Sequence, residues 1–144
     1  MKRLVDLLQE LDQTTSTNKK IKALAAYFKE AEAEDACWAL FLLMGNKIPT
    51  KINRIFLQEA FCEFVNMPLW LFKESASHVG DESETMALLR GPISNAKEPP
   101  RLGEFVTKEL LSLKKLSPEE IKQKLFEWWA IFDEQVLFLL HKCF

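Results

Sequence analysis

The stretch Ser117-Pro118-Glu119-Glu120-Ile121-Lys122-Gln123-Lys124-Leu125-Phe126-Glu127-Trp128-Trp129-Ala130-Ile131-Phe132 reads as a helix from end to end. Ser117 can cap, Pro118 suits the first helical position, and Glu120 at the third can reach back to the cap. Ile121, Leu125, Trp128, Trp129 and Phe132 then recur at helical spacing. Downstream, Asp133 opens a ninth helix holding Val136 to Leu140. Upstream, Leu102, Phe105, Val106, Leu110 and Leu111 mark a seventh. Gly91 to Arg101, with Pro92, Pro99 and Pro100, is the one clear linker and divides the helices into two groups.

The same period continues toward the N-terminus. Asp81, with Glu84 three residues on, resembles a capping box for a sixth helix through Leu89. Asn66-Met67-Pro68 starts a fifth, with Leu69, Trp70, Phe72 and Ala76 on its face, and Gly80 ends it. Thr50 can cap a fourth, whose face is Ile52, Ile55, Phe56, Ala60 and Phe64. The third starts near Asp35 and stops at Gly45. It is apolar nearly all round, which places it in the middle of the core. The second runs from about Asn18 to Ala31, with Ile21, Leu24, Ala25 and Phe28 on one face. The first, Lys2 to Gln13, carries Leu4, Leu7, Leu8 and Leu11. No stretch alternates as a strand. The sequence predicts an all-α fold: one helical domain of eight or nine helices over residues 1–144, with the linker at 91–101.

Composition agrees. The 144 residues are 48% hydrophobic and 28% charged, which excludes a disordered chain. With 4 glycines and 6 prolines, sandwiches, barrels and Gly-rich phosphate loops are disfavoured. The formal charge of −2 sets up no global field toward nucleic acid, so any anion site is local. Asp6 and Glu10 interrupt the N-terminal apolar stretch, against a signal peptide. The longest apolar run, Ala36 to Met44, is too short to span a bilayer. A cytoplasmic protein with no membrane role follows. Cys37, Cys62 and Cys143 form no CxxC pair and read as buried, reduced thiols.

An internal echo links Leu24, Tyr27 and Phe28 to Leu125, Trp128 and Trp129, each set followed by an acidic start and an apolar helix. Two helical hairpins related by a pseudo-twofold axis explain it. So does chance likeness between two amphipathic pairs. The chain stops at His141-Lys142-Cys143-Phe144 without a stop signal, as a piece of a longer protein would.

Catalytic signatures are missing. No glycine follows Asp, so the K-x-D-G nucleophile of nucleotide transfer is not here. There is no phosphate loop, nucleophile elbow or H-E-x-x-H. His78 and His141 lack ligand partners in sequence and read as capping or surface residues rather than as a metal site. Trp128-Trp129 reads as core plus flank.

Local anion sites are better represented. Thr14 to Lys20 combines hydroxyls with a helix start, where Thr17, Asn18, Lys19 and Lys20 offer free amides and positive charge. Lys47, Thr50, Lys51 and Arg54 lie in a span free of acid. Val79-Gly80-Asp81 puts a glycine at another helix start, and Lys114 and Lys115 precede the Ser117 start. Each alone is explained as an ordinary cap or a solvated loop. Four on one small, near-neutral domain fit a protein that holds a sugar–phosphate backbone without reading sequence.

The run Thr14 to Lys20 with Leu24 and Tyr27-Phe28 resembles the opening of the N-terminal domain of ATP-dependent DNA ligases, as does Asp35 to Gly45. Pro68-Leu69-Trp70-Leu71-Phe72-Lys73-Glu74-Ser75, then Val79-Gly80-Asp81 and Glu84-Thr85-Met86-Ala87-Leu88-Leu89, is similar to the P-x-W-L-F-x-E-S…V-G-D…E-T-[IM]-A-L-L pattern of the bacterial branch. From Leu102 on, the likeness is looser. The resemblance implies an all-helical DNA-binding domain gripping nicked duplex on its minor-groove side, with pseudo-twofold hairpins. It implies a backbone phosphate contact at Gly80 and others near Thr17 to Lys20. The family's Gly-Gly-Phe-Arg-type loop and catalytic Lys motif do not occur here. This chain therefore calls for no cofactor of its own, and ATP and Mg are implied only for the missing catalytic domain. The implied partners are nicked double-stranded DNA and the ligase's catalytic domains in cis. The competing reading is a helical protein-interaction module with no nucleic-acid role, favoured by the net charge, Trp128-Trp129 and the apolar ninth helix.

Overall fold

Side-chain caps start four of the nine helices. The computed structural model describes residues 1–144 as nine helices and no strand. They are α1 (Lys2–Asp12), α2 (Thr17–Glu30), α3 (Ala33–Leu43), α4 (Arg54–Phe64), α5 (Leu69–Val79), α6 (Glu82–Arg90), α7 (Leu102–Glu104), α8 (Pro118–Ile131) and α9 (Glu134–Cys143). At α8 both halves of the capping box form: Glu120 N–H donates to Ser117 Oγ at 3.3 Å, and Ser117 N–H donates to the Glu120 carboxylate at 2.7 Å. Asp133 accepts from Val136 N–H at 2.8 Å and starts α9. Asp81 accepts from Glu84 N–H at 3.0 Å and starts α6.

Two predicted caps move. α4 begins at Arg54, not after Thr50. Asn53 is its cap, accepting from Phe56 N–H at 2.9 Å, while Thr50 Oγ1 accepts from Ile52 N–H to make a short turn. The delay rotates the predicted face: Leu57, Ala60, Phe61 and Cys62 are buried, and Ile55 is exposed. α3 begins at Ala33, ahead of Asp35. Asp35 instead accepts from Gly103 N–H at 2.9 Å and so holds the start of α7. α7 then continues through a π-helical turn (Phe105–Leu110) and a 3₁₀ turn (Leu111–Lys115).

The core also differs from expectation. α3 buries only Ala39, with Leu40 51% and Met44 72% exposed, and Cys37 is exposed rather than buried. The central helix is α9, which buries Val136, Leu137, Leu139, Leu140, His141 and Cys143. α6 and α1 pack on α9, α5 on α6, α4 on α5 and α8, α2 on α1, and α3 on α7. Trp129 is fully buried, with its ring 5.3 Å from Phe61 and 5.4 Å from Phe64. Trp128 meets Phe105 at 5.2 Å. The echoed helices share a phase, since Ala39 and Leu137 are both fully buried, but α3 lies at the surface and α9 at the centre.

Candidate nucleic-acid interface

α2 starts without a side-chain cap. Ser16 makes none, and its N–H donates to Thr14 Oγ1 at 3.2 Å. The first turn carries no acid, and Thr17, Asn18 and Lys19 are exposed with Lys20 half-buried. An uncapped helix start presents orphan amides and the positive end of the dipole, so this end can take an anion.

Gly80 closes α5 in the left-handed region, at φ +86. Its N–H donates to Ala76 C=O at 2.9 Å and is therefore already used. A Cβ here would meet nothing within 4 Å, so the turn, not close packing, calls for glycine. The next residue, Asp81, puts its own carboxylate on the α6 amides. Burial opposes its ionisation, but Lys142 and the amides of Glu84 and Ser83 outweigh that and hold the carboxyl below its ordinary value.

Lysines cluster around this turn. Lys142 Nζ pairs with Asp81 and lies 5.1 Å from the Phe138 ring centroid, while its carbonyl accepts from Lys47 Nζ at 3.0 Å. Ile48 N–H donates to Cys143 C=O at 2.8 Å, which fixes the 47–51 loop against the end of α9. At the far end of that loop, Lys51 Nζ donates to Leu116 C=O at 3.2 Å, next to Lys114 and Lys115. Arg54 is not the free cation its acid-free span suggested. Its guanidinium forks onto Glu82, which also accepts from Gln58 Nε2 at 2.8 Å.

Two hollows flank the Gly80-Asp81 turn. One, of about 510 Å³, is lined by Arg54, Lys73, Ser77 and Gly80. The other, of about 630 Å³, is lined by Lys20 and Asp81 among others. Gly80, Arg54 and Lys47 are thus linked through Asp81, Glu82 and Lys142, Lys51 bonds to Leu116 from the far end of the Lys47 loop, and Lys20 lines the larger hollow with Asp81. Sequence reading missed Lys73, Ser77 and Lys142. Lys73 and Ser77 are spaced four and share a face of α5, a usable signal. Lys142 is 61 residues from Asp81, and nothing in sequence joins them.

A family profile for the DNA ligase N terminus matches residues 1–135. The chain belongs to that family, the N-terminal domain of ATP-dependent DNA ligases. Comparison with curated proteins and with solved structures returned no match. In this ligase domain no helix is long and apolar enough to cross a membrane. His78 is exposed beside Glu74. His141, expected at a cap or the surface, is buried because it lies four residues after Leu137 on the core face of α9. Two of the features that favoured a protein-interaction module are spent internally: Trp128 and Trp129, and Val136, Leu137, Leu139 and Leu140 of α9, lie in the ligase domain's core.

Proposed function

We propose that this ligase domain holds nicked duplex DNA through backbone phosphates on the minor-groove side and presents the nick to the enzyme's catalytic domains in cis. Its service is to DNA repair, replication and recombination in the cytoplasm. The observation that carries this reading is the gathering of Lys47, Lys73 and Lys142 around the Gly80 turn, with Lys51 at the far end of the Lys47 loop, in a chain whose net charge is −2. The uncapped start of α2, with Lys19 and Lys20, supports it. Lys114 and Lys115 extend the basic strip beyond Lys51. Phosphate contacts carry no sequence information, and the minor groove has a degenerate code, so binding is sequence-tolerant.

Anisotropy titration of the chain with nicked and intact duplexes tests this. Affinity is expected to be weak and to fall linearly on a log–log plot against salt, with a slope of about −0.9 per phosphate neutralised. Replacing Lys19 and Lys20 together by alanine should weaken all duplex sequences alike. No binding at low ionic strength, or a loss confined to particular sequences, overturns the reading.

A further inference from the structure

The larger hollow beside the Gly80 turn has the wrong charge for a phosphate backbone. Its floor is apolar, built from Val5, Leu8, Leu11, Ala87 and Phe138. Its rim carries Asp12, Glu84 and Glu134, none of which is ion-paired within the chain. Asp81 on the same rim is committed to Lys142, and Lys20 is the one lining cation.

Local helix electrostatics explain part of this. Glu84 and Glu134 stand in the first turns of α6 and α9, where negative charge is favourable. Asp12 stands in the last turn of α1, where it is unfavourable, and that turn has no basic residue. No ion pair within the chain offsets it. The carboxylates are also too dispersed for an ion: no three metal-ligating side chains come together. A spread of unpaired acids over an apolar floor of about 630 Å³ suits an extended cation with an apolar face.

We propose that this cleft docks a basic amphipathic segment of a partner protein. Its apolar side chains would rest on Leu8, Leu11 and Phe138, and its Lys or Arg residues would meet Asp12, Glu84 and Glu134. This inference does not rest on the DNA reading: the acids of the rim repel phosphate, and Lys20 is the one residue that the two surfaces share.

The test is an NMR titration of the ¹⁵N-labelled full chain with a synthetic helical peptide bearing Leu at i, i+3 and i+7 and Lys elsewhere. The controls are a scrambled peptide of equal composition, a Glu-for-Lys version and spermidine. Saturable shifts should appear at Leu8, Asp12, Glu84, Glu134 and Phe138 with the first peptide only. The double variant Asp12→Asn/Glu134→Gln should lose about fivefold in affinity. A shift pattern elsewhere, an equal response to spermidine or to the scrambled peptide, or undiminished binding by the double variant overturns the proposal. Backbone shifts away from the cleft that match wild type show the variant to be folded, so a null result stays interpretable.

Discussion

His141 is held where its charged form cannot be. It is buried in the last turn of α9, and Trp129 Nε1–H donates to its Nε2 at 2.7 Å. That bond makes Nε2 the acceptor and leaves the proton on Nδ1, which makes no hydrogen bond although the Ser83 backbone lies nearby. Burial, opposed by the Ser83 backbone and reinforced by the nearby charge of Arg90, pushes the imidazole pKa down from 6.5 to about 4. Between these values the unfolded chain binds a proton that the native state refuses. The stability is therefore complete above pH 6.5 and is lost as pH falls toward 4. The drop by pH 5 is expected to be about 2 kcal/mol in urea unfolding curves. His141→Gln keeps an acceptor for Trp129 and should flatten the dependence; an unchanged pH profile in that variant would refute the assignment. At Gly80 the argument is conformational. Gly80→Ala meets no steric obstacle, yet it must adopt φ +86, so a destabilisation of about 1–2 kcal/mol is expected by the same measurement.

Helix starts show what was readable at the level of elements and what was not. Ser117, Asp81 and Asp133 act where their spacing to Glu120, Glu84 and Val136 predicts, because a cap is a contact over three residues. Thr50 and Asp35 have equally good cap chemistry but spend it otherwise, Asp35 on an amide 68 residues away. Spacing cannot report that. Nor can hydropathy rank helices that compete for the centre. α3 is apolar all round, yet α9 occupies the core because α6 and α1 both close on it. The caps supply a paired prediction. Ser117→Ala should cost about 1 kcal/mol in chemical denaturation, whereas Ser16→Ala, which removes no cap bond, should leave stability within about 0.5 kcal/mol. Equal losses at the two sites would mean that the α2 start is capped after all and is not open to an anion.

Over the whole molecule, a net charge of −2 conceals a division. Lys47, Lys73 and Lys142 gather around the Gly80 turn, with Lys51 at the far end of the Lys47 loop, while Asp12, Glu84 and Glu134 rim the cleft beside it. Sequence pointed to Lys47, Lys51 and Gly80, because each sits in a short motif. It could not join them, since Lys47 reaches the Gly80 turn through Lys142, while Lys51 bonds to Leu116, 65 residues away. The division separates two effects that a single affinity would merge. A lysine that neutralises a phosphate releases counterions, so its removal changes the salt slope as well as the affinity. A carboxylate that only shapes the field acts within a Debye length, about 8 Å at physiological salt, and releases nothing. Lys47→Ala/Lys51→Ala should therefore weaken duplex binding and make the slope shallower by about 0.9 for each phosphate left without its lysine. Asp12→Asn/Glu134→Gln should strengthen binding slightly at low salt and leave the slope unchanged. Both come from the same anisotropy titration across salt concentrations. If the cleft variant shifts the slope and the lysine variant does not, DNA lies over the cleft, and both surfaces have been assigned the wrong way round.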